Sequence, residues 1–191
     1  MLKRFLSVAA VIAGSALSAN ASAALLSWYG TLGPEGPGAS GTGSALVTFD
    51  SISHDLTFDI TFSGLSAPTT VAHIHCCTAL PGAGTAAVAV DTPTLLGFPA
   101  GVTAGSYLNS FDLDDPLNFV PAFVTANGGT AAGATAALIG GLDAGSAYFN
   151  IHSTAFPGGE IRAFPARVPE PATLALFCLG LAGIGLARRR V

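Results

Sequence analysis

The chain has 191 residues, half of them hydrophobic and only 9% charged, a length that suits one domain with a real core between shorter terminal segments. Five of its seven basic residues, Lys3, Arg4, Arg188, Arg189 and Arg190, lie at the ends, so residues 24–171 hold Arg162 and Arg167 against eleven acidic residues, a net charge of −9. That balance repels phosphate backbones and excludes nucleic-acid binding, and the shortage of lysine beside abundant small residues fits a secreted β protein better than a cytosolic enzyme.

In chain order, Met1-Leu2-Lys3-Arg4, the apolar run Phe5 to Leu17 and then Ala21-Ser22-Ala23 form the charged, apolar and small-residue succession of a secretory signal peptide. Cleavage by signal peptidase is expected after Ala23, and an apolar run of roughly 13 residues is too short for a transmembrane anchor. Strands are predicted at Leu25 to Thr31 and Ser44 to Phe49, separated by the turn-rich loop Gly33-Pro34-Glu35-Gly36-Pro37-Gly38. From Asp55 the chain alternates, with Leu56, Phe58, Ile60 and Phe62 on one face and Asp55, Thr57, Asp59 and Thr61 on the other, as a half-buried antiparallel strand does. Val71 to His75, Ala86 to Val90, Gly105 to Leu113, Ala147 to His152 and Glu160 to Phe164 bring the count to about eight short strands. Their number and spacing predict a mostly β fold, a Greek-key β-sandwich, with two short helices inserted. The first opens at Asp115-Pro116, an N-cap followed by proline at the first helical position, and runs to about Ala126 before Asn127-Gly128-Gly129. The second spans about Ala131 to Leu142, with Ala134, Leu138 and Leu142 on one stripe and Gly145 beyond its end. The tail reads Val168-Pro169-Glu170-Pro171, an apolar stretch from Ala172 to Ala187, and Arg188-Arg189-Arg190; the stretch is marginal for crossing a bilayer, and the basic triplet would stay on the cytoplasmic side. The expected organisation is therefore a signal peptide at 1–23, one domain at 24–167 and a tail at 168–191.

Two stretches could carry chemistry. In Ala72-His73-Ile74-His75-Cys76-Cys77, alternate residues of an extended strand share a face, so His73 and His75 project together about 7 Å apart and could converge on copper or zinc. In the second, His152 leaves one strand, Pro157-Gly158-Gly159 turns the chain, and Glu160 and Arg162 enter the next strand on a common face. Three histidines suffice for a transition metal with an open position; the structural alternative is a hydrogen-bonded network tying His73, His75 and His152 to Glu160 and Arg162. Cys178 lies in the tail, leaving Cys76 and Cys77 as the domain's thiols; outside the cytoplasm they are expected to close a vicinal disulfide, an eight-membered ring, against the alternatives of free thiols or soft metal ligands. His54 reads as a solvated turn residue. Asp112-Leu113-Asp114-Asp115 reads as a helix cap, the twelve-residue calcium loop pattern being missing. No Gly-x-Ser-x-Gly elbow, His-Glu-x-x-His or phosphate loop occurs, and no carboxylate pair stands out as glycosidase-like.

Pro169-Glu170-Pro171, the apolar span and Arg188-Arg189-Arg190 together resemble the PEP-CTERM sorting signal. The resemblance implies processing by an exosortase-type transpeptidase in exopolysaccharide-producing Gram-negative bacteria, with surface attachment or release after the cut. His73-Ile74-His75, Asn150-Ile151-His152 and Pro157-Gly158-Gly159-Glu160-Ile161-Arg162 resemble the CHRD domain over roughly Leu25 to Pro165. Bacterial members often carry Gly and Asn after the first motif, where this chain has Cys76-Cys77. The spaced histidines are also similar to those of Cu/Zn superoxide dismutase, whose full set of bridging and zinc ligands is missing here. The resemblance implies a fold more than a reaction. The expected function is that of a non-enzymatic surface module binding exopolysaccharide or a matrix protein; the alternative is a copper or zinc binding or redox role at His73, His75 and His152.

Overall fold

The computed structural model describes residues 25–90 and 94–169. The signal-peptide segment and the tail from Glu170 onward, with Pro171, Arg188, Arg189 and Arg190, lie outside the described residues.

The β3 strand, Asp55–Ser63, shows why the chain folds as it does. Its apolar residues recur every second position, and all four, Leu56, Phe58, Ile60 and Phe62, are buried. Its Thr57 and Thr61 face outward, bonded across the sheet to Ser110 and Ser44. Fully burying one such apolar side chain contributes about 1.5–3 kcal/mol, so the period alone commits one face of the strand to a core. β1 (Leu25–Pro34), β2 (Thr42–Asp50), β3 and β6 (Gly105–Asp112) form one antiparallel layer in that order. β5 (Val88–Val90), β4 (Thr69–His75), β7 (Tyr148–Ser153) and β8 (Ile161–Ala163) form the other. The two are one continuous curled sheet, because the far end of β1 pairs Gly33 and Pro34 with Arg162 and Ile161 of β8. The layers meet through aromatic side chains: Phe58 of β3 lies 6.2 Å from Phe149 of β7, and within its own layer Phe58 meets Phe111 of β6 edge-on at 5.8 Å.

A ninth strand, β9 (Ala166–Arg167), pairs with Tyr29 and Trp28 of β1. Arg167 lies 5.1 Å from the Trp28 ring, and Arg167 and the Trp28 indole both donate to the Asp143 carboxylate, at 2.8 and 3.0 Å. Two residues were too short a signal to register as a strand in the sequence.

The expected single helix from Asp115 to Ala126 is instead two pieces, a 3-10 turn at Pro116–Asn118 and α1 at Pro121–Ala126. Proline disfavours helical backbone at the residue before it, and Val120, preceding Pro121, is extended with ψ 127°. Asp115 does act as the cap, accepting from the Leu117 N–H at 2.9 Å. His54 adopts φ 59° in the β2–β3 turn, with Nδ1 2.9 Å from Asp114. α2 (Ala131–Asp143) starts where the Thr130 side chain accepts from the Gly133 N–H, and it buries Ala134, Leu138 and Leu142 against the sheet. No helix among the described residues is long and apolar enough to cross a membrane.

Candidate metal centre

β4 and β7 pair antiparallel with His73 opposite Asn150 and His75 opposite Tyr148. Strand alternation therefore sends Phe149 and Ile151 into the sandwich core and puts Tyr148, Asn150 and His152 on the other face, beside His73 and His75. On most strands that second face is wet; here every residue of β7 is buried. His73, His75 and His152 are each 8% exposed and Asn150 is 1% exposed, so their polar atoms must find partners within the protein.

For His75 and His152 the partners fix which nitrogen carries the proton. His75 Nδ1 lies 2.9 Å from the Ala86 carbonyl oxygen, and His152 Nδ1 lies 2.8 Å from that of Pro157. A carbonyl only accepts, so each Nδ1 is the protonated nitrogen. Burial, with a smaller contribution from the neighbouring imidazoles, outweighs the Ala86 and Asn150 hydrogen bonds and holds His75 below the ordinary histidine range, so near neutrality its Nε2 keeps a lone pair. Both Nε2 atoms point inward, 3.1 Å (His75) and 3.0 Å (His152) from Asn150 Oδ1. His73 Nδ1 is 3.2 Å from His152 Nε2. One ligand nitrogen from each histidine lies within 4.8 Å of the others. A point can then sit no more than about 2.8 Å from all three, against metal–nitrogen bonds of about 2.0–2.1 Å, so small side-chain rotations would close the set. The Tyr148 ring stacks on His75 at 4.6 Å and 3°, fixing the plane of that imidazole.

The sequence-predicted polar residues divide here. Glu160 has no exposed surface, and its carboxylate turns to Ser66, accepting from both the N–H and the hydroxyl at 2.6 Å, and to the Ser40 N–H at 3.4 Å. Burial, the largest single influence, pushes its carboxyl up, but the hydrogen bonds from Ser153, Ser66 and Ser40 together hold it below the ordinary value. Arg162 spans the rim: it pairs with Glu35 at 3.3 Å, donates to the Gly84 carbonyl at 3.0 Å, and lies over the Tyr148 and Phe164 rings. Gly159, at φ 127°, lets the Glu35 carboxylate and the Asn150 amide approach where a Cβ would otherwise stand.

Sequence reasoning missed the parts of Asn150, Tyr148 and Glu35. Asn150 and Tyr148 had a readable signal, since they alternate with His152 on one strand face. Glu35 had none, being the acid of a loop of glycines and prolines. Cys76 and Cys77 are joined by a disulfide whose sulfurs point to α2, 3.8 and 3.7 Å from the Ala137 carbonyl oxygen.

The CHRD domain family model matches residues 23–164, and that of the PEP-CTERM protein-sorting motif matches residues 167–190. No curated protein and no solved structure matches the chain.

Proposed function

The chain belongs to the CHRD domain family, and from that premise we propose that its domain is a metal-binding module of the cell surface, holding one copper or zinc ion on His73, His75 and His152. The PEP-CTERM motif makes it an exported protein sorted by exosortase-type machinery. In the proposed organisation residues 1–23 are the signal peptide, 24–167 the working domain and 168–191 the sorting tail, in a Gram-negative cell that places the domain in its exopolysaccharide layer.

One observation carries the metal reading. Two buried imidazoles have their outer nitrogens pinned to backbone carbonyls and their inner lone pairs aimed at one point. Backbone anchoring of the remote nitrogen is how proteins orient a metal-ligating histidine. Asn150 Oδ1 lies 3.1 and 3.0 Å from the two inner nitrogens, so an amide oxygen stands beside the same point. A cation at that point satisfies all of them, with the amide oxygen available as a fourth ligand. A nitrogen-rich set with one oxygen suits copper(II) or zinc, and copper(II) binds the more tightly by the ordinary affinity series.

Elemental analysis and calorimetry of the purified domain test this. We expect one equivalent of copper or zinc per chain after loading, and its loss in His152→Ala with the circular dichroism unchanged. Copper and zinc that stay well below one equivalent after loading would sink the metal reading. The domain would then be a binding or structural module of the matrix alone, the reading that rests on the sorting motif and the acidic surface.

A further inference from the structure

A disulfide between adjacent residues closes the shortest possible loop, and crosslink stabilisation grows with loop length. Cys76–Cys77 is thus a poor staple, and its surroundings suggest another use. Cys76 is buried at 4% exposure, whereas Cys77 is exposed. Both cysteines line an open cavity of about 520 Å³ walled by Ala87, Val88, Val120 and Phe123, with no charged side chain in its lining. On the other side the sulfurs rest on α2 where a Cβ on Gly141 would collide with both, so only glycine leaves them room there. The Ala137 carbonyl beside them is an acceptor for the S–H groups that reduction would create.

We infer that Cys76–Cys77 is a thiol–disulfide exchange site that takes a small neutral or cationic thiol in this cavity. The incoming thiolate attacks Cys77 Sγ, on the exposed one of the two cysteines; a new S–S bond forms as the Cys76–Cys77 bond breaks, and Cys76 leaves with the electron pair and takes a proton from water. A second thiolate attacks the substrate sulfur of the mixed disulfide and releases Cys77, which is protonated in turn. Two thiols are oxidised to one disulfide, and the protein gains two electrons and two protons. The cavity contributes no charge of its own, so the net charge of −9 over residues 24–171 decides among thiols, favouring cations over anions.

The test treats the folded, exported protein with dithiothreitol, cysteamine or glutathione, traps thiols with iodoacetamide and weighs the peptide carrying both cysteines. Reduction is expected without loss of the circular dichroism spectrum. At low salt cysteamine should react about tenfold faster than glutathione after correction for their reactivity with a model disulfide, and the gap should close near 1 M salt. Ala87→Lys, an exposed change at the cavity wall, should narrow the same gap at low salt. A disulfide that resists all three reagents until denaturant is added overturns the site, and equal corrected rates for cysteamine and glutathione overturn its selectivity.

Discussion

β3 and β7 face each other across the core and are built on the same period of two, yet they carry different burdens. β3 turns phenylalanine, leucine and isoleucine inward and leaves threonine and aspartate on its open face, where water and the cross-sheet hydroxyls of Ser110 and Ser44 are at hand. β7 turns Phe149 and Ile151 inward too, but its second face is roofed over, so Tyr148, Asn150 and His152 are buried with every polar atom needing a protein partner. A polar strand face in water costs the fold little; the same face under cover is kept only where its groups satisfy one another or hold something between them.

The sharpest way to break this contrast is in the shared core. Phe149→Ala and Phe58→Ala remove the two rings that join the layers, and each should destabilise by about 3–5 kcal/mol in denaturant unfolding; a much smaller cost for Phe58 would mean the layers do not depend on that contact. Glu160→Gln comes next: it weakens a charged acceptor that serves Ser66 and Ser40, at about 1–3 kcal/mol near neutrality. Because the folded Glu160 carboxyl sits below its ordinary value of 4.5, its contribution is complete above that pH and is lost as pH falls through the lowered folded value. Acid titration of stability should therefore be flatter for the variant, and parallel curves would show that Glu160 gives no such contribution. On the covered face, Asn150→Ala should weaken metal binding about 10–100-fold; unchanged affinity in calorimetry would remove the amide oxygen from the ligand set. Smallest of all, Thr57→Ala on the wet face of β3 gives up only the bond to Ser110 and should cost less than about 1 kcal/mol.

Much of the fold could be read from residue order, because alternation and turn chemistry act locally: the strand of Leu56, Phe58, Ile60 and Phe62 lies where its period put it. The split before Pro121 was readable too, since the constraint comes from the proline itself, but a continuous helix was expected there. β9 was beyond reach, because its two residues gain meaning only from Trp28 and Asp143, far away in the chain. In the candidate site, the shared face of His73 and His75 followed from strand geometry. Their meeting with His152 depended on the pairing of β4 with β7, and the tautomers depended on the Ala86 and Pro157 carbonyls, which carry no side-chain signature. Glu160 and Arg162 were expected beside the histidines; the turn through Gly159 directs the first to Ser66 and the second to Glu35.

The pairing of β9 also sets how the molecule is moored. Arg167 is locked over Trp28, and the Val168 N–H donates to the Ser27 carbonyl at 2.8 Å, so a residue bonded to β1 stands directly before Pro169-Glu170-Pro171. No slack leash separates the folded body from its address label. An enzyme that grips those three residues must either work flush against the edge of β1 or first unzip β9, and Trp28→Ala, by loosening that latch, should change how quickly the label is cut.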